Sequence, residues 1–485
     1  MTLKNILNFG KKTTGILVFL ISLFALNVIG PDKLPNNDQT KVQTIQTQES
    51  IFMHAQQTAS TDPALLAPFK TFDTFISEEI FSDFEFTSVG GSWQEMAPEG
   101  TQVDVEVSFK NDDKWSEWIE LEEEEDPASG DGQKYGYEYK ANRDGNFNIS
   151  SGESVKKYGM ASTNEAGSIK YRFLLYGDGT KVPLVKNVNW TFIKSSPGIS
   201  QEKLTEPKFS ADLAETSKIA LETSPNGVIS RADWGANESY LYLSDNSITP
   251  ELVKLDPDFY DKYADELGYS RVVEVDSDGN KYKWPLQYPE KITKIIVHHT
   301  ASTSNLENPE QAIRDIYYYH AMTRKWGDIG YNFVVDQQGN IYEGRYGGEG
   351  VIGAHSGAGN HGSIGIAILG NYQENDVPEE AIVKLSQFIY KKAKIHGIDT
   401  EGYADFRGKN RPNIFGHRDI MATACPGEYL YSKLPVIRVI AAERFDLKEK
   451  FVKDYDFQDH SEIYYLEMKP NQTLDVDLKI ENIGK

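Results

Sequence analysis

The sequence predicts a multidomain protein in which an antiparallel β-sandwich domain precedes an α/β domain. Three observations lead to this fold class. The chain has 485 residues, which is more than one hydrophobic core usually serves. Residues 66–196 contain short runs in which apolar and polar side chains alternate, as in half-buried strands. Residues 226–446 instead alternate apolar strand-like runs with helical periodicity, so two units of different class follow each other.

The composition supports folded domains and argues against nucleic acid as a partner. Hydrophobic residues make up 39% of the chain and charged residues 25%, as in ordinary globular proteins. Fifty Lys and Arg against 73 Asp and Glu give a formal charge of -23, which repels phosphate backbones. A single cysteine, Cys425, excludes an intramolecular disulfide framework. Nothing in the sequence implies an obligate protein partner.

Residues 1–30 have the pattern of an export segment. Lys4, Lys11 and Lys12 precede an uncharged apolar run over residues 15–30. This arrangement is typical of a signal peptide, and an uncleaved N-terminal membrane anchor fits it equally well. Both alternatives place the remaining chain outside the cytoplasmic membrane, as a secreted or cell-envelope protein.

Two polar stretches separate the predicted folded units. Residues 31–65 are rich in Asn, Gln, Thr and Asp without periodicity, which predicts a disordered linker. Residues 197–225 contain Pro, Ser and Glu and predict a second linker before the α/β domain.

The accessory domain, residues 66–196, is predicted from period-two alternation. Val103, Val105 and Val107 form one such run, and Gly-, Asp- and Asn-rich turns separate it from others. Trp115 and Trp118 are predicted to be core residues rather than a sugar-stacking platform. The acidic run that follows them, residues 122–126, is interpreted as a solvated loop in preference to a calcium site.

The α/β region concentrates residues that bind metals. It holds the only cysteine and seven of the nine histidines: His298, His299, His320, His355, His361, His396 and His417. A β-branched run over 294–297 ends in the His298-His299 pair, whose side chains point to opposite faces of a strand, so only one of them can be a direct ligand. Two imidazoles and one thiolate form a set typical of catalytic zinc, with the fourth position left for water. The alternative for the cysteine is an inert buried thiol.

Five motifs in order give the region a family resemblance. They are Ser-Arg-Ala-Asp-Trp-Gly-Ala at 230–236, Val-His-His-Thr-Ala at 297–301, Asp-Ile-Gly-Tyr-Asn-Phe at 328–333, Gly-Ala-His with Asn360 and Ser-Ile-Gly-Ile at 353–366, and Gly-His-Arg-Asp to Ala-Cys-Pro-Gly at 416–427. The stretch from 229 to 442 resembles the peptidoglycan recognition protein and type-2 N-acetylmuramoyl-L-alanine amidase family. An aromatic, charged insertion over 239–288 departs from the compact family pattern.

The resemblance implies a fold, a cofactor and an activity. The fold is a mixed central sheet flanked by helices, and the cofactor is Zn²⁺ bound by His298, His417 and Cys425. Tyr331 and Thr423 would be the catalytic residues. The reaction would be hydrolysis of the amide between N-acetylmuramic acid and the L-alanine of the stem peptide in peptidoglycan. The alternative is a noncatalytic protein that binds the glycan strand and stem peptide in the same groove.

Four further residues are candidates for binding substrate: His299, Arg345, His355 and Asn360. Histidine, arginine and asparagine offer the donors that carbonyls and carboxylates need, although local turn bonds would also explain some of them. His299 is either a groove residue or a structural neighbour of the metal. His320 is predicted to be core because it follows an apolar helical stripe, and His396 is predicted to complement a helix C-terminus.

Residues 447–485 alternate again and resemble the start of an immunoglobulin-like β module. The roughly 39 residues are fewer than the ~100 that such a domain needs to close.

Overall fold

A computed structural model describes most of the two central units. The described residues are 38–52, 69, 71–121, 155–178, 181–198, 227–243, 269–303, 305–421 and 423–442. The predicted export segment, the acidic run at 122–126, nearly all of the second linker and the C-terminal module lie outside them. Among the described residues, no helix has the length and apolarity to cross a bilayer.

The first unit is a single eight-stranded antiparallel sheet. Its strands are β1 (Lys41–Phe52), β2 (Thr71–Ile76), β3 (Ile80–Met96), β4 (Gln102–Asn111), β5 (Lys114–Trp115), β6 (Ile119–Glu120), β7 (Val155–Gly177) and β8 (Leu184–Lys194). The main path runs β1-β8-β3-β7-β4-β5, with β2 paired to β7 and β6 to β4.

The long strand β7 takes part in both halves of this sheet. Its first half pairs with β3 and its second half with β4 and β2. The halves pack against each other through aromatic side chains, with ring centroids 5.9 Å apart for Trp93 and Phe173 and 4.9 Å apart for Tyr171 and Trp190. The predicted sandwich is therefore one continuous sheet in which the strands of the two layers stay hydrogen-bonded.

Strand β1 corrects the prediction of a disordered linker over residues 31–65. It pairs with β8 along its whole length, and Ile51 lies in the core of the sheet. The hydroxyls of Thr44 and Thr191 lie 3.0 Å apart across the two strands. The Gln- and Thr-rich sequence of β1 has no regular alternation of apolar and polar residues. The segment forms a strand because it pairs with β8, and its own sequence pattern does not indicate one.

The prediction that Trp115 and Trp118 are core residues is wrong. Trp115 is 37% exposed on the two-residue edge strand β5, with the Lys170 ammonium 4.9 Å from its ring centroid. Trp118 is half-buried beneath the Arg172 guanidinium, 4.6 Å away. Both rings lie beside long basic side chains whose aliphatic stems cover part of their surface.

The second unit has a mixed six-stranded sheet in the order β18-β12-β15-β13-β14-β9. Its strands are β9 (Val228–Ile229), β12 (Lys294–His299), β13 (Phe333–Val335), β14 (Ile341–Glu343), β15 (Ser363–Ile368) and β18 (Ile414–Gly416). Strand β12 runs parallel to both β15 and β18, and β13 forms an antiparallel hairpin with β14. Every residue of β12 and β15 is buried, as expected for central parallel strands.

Helices cover both faces of this sheet. They are α1 (Arg231–Trp234), α2 (Pro309–Tyr318, continued by a wider π-helical turn to Thr323), α3 (Glu379–His396) and α4 (Glu428–Ala441). The apolar residues of α3 and α4 share one core with β12 and β15, and those of α2 form another core on the opposite side. Helix α2 begins as its sequence predicts, because Asn308 caps it by accepting the Gln311 N–H and Pro309 occupies the first turn.

Two antiparallel hairpins complete this unit. Strands β10 (Tyr269–Val275) and β11 (Lys281–Pro289) lie within the insertion that departs from the family pattern, and β16 (Tyr403–Phe406) pairs with β17 (Lys409–Pro412). The first hairpin carries aromatic residues toward the loops that follow β14.

Helix α2 also joins the two units. Its buried Asp315 accepts hydrogen bonds from Thr87, Ser88 and Ser195 of the accessory sheet. One turn further on, the Tyr319 ring lies over Gly90, where a Cβ atom would overlap it. The accessory sheet therefore packs directly on the α/β unit, through a buried carboxylate and a close ring-to-backbone contact.

Candidate metal centre

Two parallel strands bring the first two site histidines together. In the register of β12 and β18, Val297 lies opposite Gly416. His298 and His417 each follow one of these paired residues, so both emerge at the same edge of the sheet. Their ring centroids are 4.5 Å apart. Strand pairing between segments more than one hundred residues apart therefore creates the site.

The third residue, Cys425, is held by a tight loop after β18. Thr423 Oγ1 accepts the Cys425 N–H at 3.1 Å, and the Arg418 N–H donates to the Cys425 carbonyl at 2.8 Å. The thiol is buried, and its Sγ accepts the His299 N–H at 3.4 Å. Thr423 thus shapes the cysteine loop, a structural contribution that the motif alone does not reveal.

The three side chains form a cluster of metal-ligand size. One ligand atom from each of His298, His417 and Cys425 lies within 4.8 Å of the other two. Within this cluster, Cys425 Sγ is 3.7 Å from Nδ1 of His298. Two imidazoles and a thiol are the donor types that zinc prefers, so the residues fit that ion.

The electrostatics of the cluster favour neutral imidazoles. Burial, followed by the neighbouring rings of His417 and His355, holds the pKa of His298 well below its usual range. Burial and His417 lower the pKa of His355 to about 3. A neutral ring keeps a nitrogen lone pair, which is the form that binds a metal.

His355 contacts the cluster directly. Its Nδ1 lies 3.0 Å from Nε2 of His298, the ring nitrogen on the side away from the Cys425 thiol. The ring packs over Gly365 of β15, where a Cβ atom would overlap it. This candidate for substrate binding is therefore placed as a partner of a metal-type ligand.

Tyr331 lies beside the cluster, just before β13. Its ring centroid is 5.6 Å from that of His298 and 5.9 Å from that of His320. The residue is half-buried, whereas both histidines are buried. The structure thus places Tyr331 beside His298.

Two predicted substrate-binding residues face the interior instead. His299 is buried on the other side of β12, where its Nδ1 accepts the Tyr372 N–H at 3.0 Å. Arg345 is 2% exposed, donates to Asp328 at 2.8 Å and lies 3.7 Å from the Trp284 ring centroid. The structure thus uses both side chains to position backbone and aromatic groups, which for His299 is the structural alternative named in the sequence analysis.

Asn360 organises the loop that carries His355. Its Oδ1 accepts the N–H groups of His355 and Ser356, each at 2.8 Å. This is the local turn bonding that the sequence left as the alternative to substrate binding.

The remaining histidines follow the sequence predictions in part. His320 is buried as predicted, and its Nδ1 accepts the Gly330 N–H at 3.1 Å. His396 does lie in the last turn of α3, but its Nε2 contacts Glu349 at 2.6 Å. The ring therefore has a carboxylate partner from a distant loop in addition to its predicted place at the helix end.

Sequence reasoning missed a buried ionic network around Asp328. One carboxylate oxygen of Asp328 accepts a hydrogen bond from Arg231 Nη1 at 3.0 Å, and the other accepts one from Arg345 Nη1 at 2.8 Å. Arg231 is 97 residues and Arg345 17 residues from Asp328 along the chain. The sequence marked Arg231 and Asp328 as members of two motifs and Arg345 as a candidate site residue, but nothing in it indicated that the three form one network.

The fold and the site together define a class: an α/β domain with a His-His-Cys cluster at the carboxyl edge of a mixed sheet. The profile of the N-acetylmuramoyl-L-alanine amidase family matches residues 288–428. Peptidoglycan-recognition protein SC1a/b of Drosophila simulans is 34% identical over 159 residues, which are 32% of this chain and 79% of that protein. The chain belongs to the family of peptidoglycan recognition proteins and N-acetylmuramoyl-L-alanine amidases.

Two other similar proteins are a human amidase and a solved insect structure. The N-acetylmuramoyl-L-alanine amidase of Homo sapiens is 33% identical over 144 residues, 29% of this chain and 23% of that protein. Among solved structures, wild-type Drosophila PGRP-LB is 24% identical with a TM-score of 0.29, covering 43% of this chain and 91% of that one. At the level of the family, the protein is a peptidoglycan-related amidase or recognition protein.

Proposed function

We propose that the protein is a zinc-dependent amidase that cleaves the bond between N-acetylmuramic acid and the L-alanine of the stem peptide in bacterial peptidoglycan. The observation that carries this proposal is the convergence of His298, His417 and Cys425, whose ligand atoms lie within 4.8 Å of one another. A protein that only recognises peptidoglycan has no need of a complete and buried set of soft and borderline metal ligands.

These three residues would hold the ion, with His298 using Nδ1, the nitrogen that faces the thiol. When bound in such a site, zinc polarises a carbonyl group and activates water as a nucleophile near neutral pH. The neighbouring residues must then hold the ligands in place and position the substrate amide.

His355 would fix the orientation of His298. With Nδ1 of His298 committed to the ion, the ring hydrogen lies on Nε2 and is donated to Nδ1 of His355, 3.0 Å away. Such a bond sets the tautomer of a metal ligand and raises its basicity. His355 is therefore a positioning residue in this proposal.

Tyr331 would supply a hydrogen bond to the substrate. Its half-buried ring lies beside His298. A phenol donates to an oxygen on which negative charge develops, and the loss of one such donor costs about 2.7 to 4 kcal/mol of barrier. The hydroxyl also helps to orient the scissile carbonyl toward the buried cluster.

The predicted export of the chain also supports this reaction. An exported chain, secreted or retained at the cell envelope, reaches peptidoglycan as its substrate, and a free thiol outside the cytoplasm risks oxidation. Metal ligation would protect Cys425, which is the only cysteine in the chain.

The test combines metal analysis with digestion of purified peptidoglycan sacculi. The unmodified protein should contain one zinc per chain and release stem peptides that begin with alanine, identified by mass spectrometry. Cys425→Ser should lose both the metal and the release. Tyr331→Phe should keep the metal and lose about 100- to 1000-fold in kcat. Binding of zinc and sacculi by the unmodified protein without any release would leave a recognition protein and exclude the amidase.

A further inference from the structure

The face of the accessory sheet that meets the α/β unit continues beyond the contact. Gly90 of β3 marks the contact, because the Tyr319 ring lies over it. Side chains two and four residues further along a strand lie on the same face, so Ser92 and Gln94 point to the same side as Gly90. They extend about 7 to 14 Å past it along the strand.

The strand register assigns neighbours to these two residues. Tyr158 of β7 and Asn189 of β8 lie opposite Ser92, one on each side. In the next row, Lys156 and Lys186 lie opposite Gln94 in the same way. We call this surface the shelf, and it consists of Ser92, Gln94, Lys156, Tyr158, Lys186 and Asn189.

The shelf is polar and accessible. Its members are half-buried or exposed, whereas Trp93, which points to the other face, is 2% exposed in the core. Hydroxyl and amide groups of this kind donate to and accept from sugar hydroxyls and acetamido groups. The Tyr158 ring itself is taken up by the protein, since the Lys156 ammonium lies 4.9 Å and the Arg324 guanidinium 4.0 Å from its centroid.

The shelf also has a positive charge in an acidic protein. The chain carries a formal charge of -23, yet Lys156 and Lys186 form no ion pair with any of the described residues. Glu95, the acidic residue next to Gln94, points to the core side and accepts the Trp93 indole N–H at 3.2 Å. The two ammonium groups therefore suit an anionic ligand.

Contacts connect the shelf to the metal centre. The Arg324 guanidinium lies 4.0 Å from the ring centroid of Tyr158 and 4.5 Å from that of Trp326. The Trp326 ring is 4.7 Å from His320, which in turn contacts Tyr331 at 5.9 Å. A series of neighbouring cationic and aromatic side chains thus runs from Tyr158 of the shelf to Tyr331 beside the metal cluster.

We propose that the shelf binds the part of the peptidoglycan strand that continues beyond the groove. Its hydroxyl and amide groups would contact the sugars, and Lys156 and Lys186 would pair with carboxylates of a neighbouring stem peptide. This inference rests on the proposed function, and it adds a polymer-binding subsite formed by the accessory sheet. The subsite favours a strand over an isolated muropeptide because only a strand reaches both places at once.

The experiment compares polymer with small substrate in the full-length protein. Lys156→Glu/Lys186→Glu should weaken retention on purified sacculi about tenfold at low salt, since each exposed ion pair contributes modestly and both charges are reversed. It should raise KM on sacculi while leaving kcat, and the turnover of a single soluble muropeptide, unchanged. The difference from the unmodified protein should shrink at high salt.

The matched control is Lys114→Glu/Lys409→Glu, which changes the net charge equally at two exposed lysines outside the shelf. Equal losses in both double variants, or unchanged retention in the shelf variant, would overturn the subsite. Failure of the unmodified protein to turn over muropeptide and sacculi would overturn the amidase instead. Retention on sacculi would still show whether the shelf binds the strand.

Discussion

His355 and Cys425 contact opposite nitrogens of the same buried ring: Nε2 of His298 is 3.0 Å from Nδ1 of His355, and Nδ1 of His298 is 3.7 Å from Sγ of Cys425. The imidazole is thus held on both sides. One nitrogen is directed to the ligand cluster and the other to a hydrogen-bond partner, so the two neighbours fix the orientation of the ring.

We therefore expect His355→Ala to weaken zinc binding about 10- to 100-fold, because the Nε2 hydrogen of His298 loses its acceptor. Competition with a chelator of known affinity measures this change independently of activity. His355→Gln, whose amide oxygen can accept the same bond, should recover part of the loss. His361→Ala, in the same loop but half-buried, is the control. Equal zinc affinity in the His355→Ala and unmodified proteins would contradict a positioning role.

Asp315 should be a main determinant of the packing between the two units. Asp315→Ala leaves the Ser195 N–H, hydrogen-bonded at 2.8 Å, and the Thr87 hydroxyl without this acceptor, while the Ser88 hydroxyl keeps its bond to Ser162. We expect the free energy of unfolding to fall by about 3 kcal/mol, the usual cost of buried donors left unsatisfied. Urea denaturation measures it.

The control for this change is Asp376→Ala, which removes an exposed carboxylate 3.4 Å from Lys433. Its effect should stay below about 0.5 kcal/mol, as for surface ion pairs. A similar small effect for Asp315→Ala would show that the units do not depend on this carboxylate.

Glu349 should make stability depend on acid pH. Burial acts to raise its pKa, but Lys392 and His396 outweigh burial and lower the pKa to about 2. Because the folded-state pKa lies below the unfolded value of 4.5, the stabilisation is present above about pH 4.5 and is lost as the pH falls toward 2. The full effect is about 3 kcal/mol.

Urea unfolding between pH 2 and 7 tests this expectation. The unmodified protein should lose more stability on acidification than Glu349→Gln, whose amide does not titrate. Glu380→Gln, at an exposed position in α3, should follow the unmodified protein. Parallel pH profiles for all three proteins would exclude Glu349 as the titrating group.

The three residues of the candidate metal cluster could be singled out because each lies in a short motif with its own chemistry. His298 ends a β-branched run, and His417 and Cys425 lie in a turn-rich segment. Their spacing alone is weak evidence for a metal site, and the resemblance to the amidase family specified the set. Arg345 could not be placed in the same way. Its partner Asp328 becomes a neighbour only after β13 and β14 form, and a guanidinium is equally suited to a carboxylate of the substrate or of the protein.

The accessory sheet shows a second limit of sequence reasoning. The Val-x-Val-x-Val run of β4 predicted a strand correctly. The Gln- and Thr-rich β1 has no comparable pattern, and its pairing with β8 depends on residues over 130 positions away. The packing of Tyr319 over Gly90 could not be predicted from the sequence either, because neither residue type indicates a contact between the two units.

The contact between the accessory sheet and helix α2 determines how the protein can be truncated. Helix α2 shares its apolar cluster with Met160 and Ile193 of the accessory sheet, and Tyr319 donates to carbonyls of Gly91 and Gly159. A truncated protein that starts where the family profile starts would expose the apolar side chains of α2 and the Asp315 carboxylate to solvent. The truncated protein should therefore aggregate, and the N-terminal boundary of a stable fragment lies before β1.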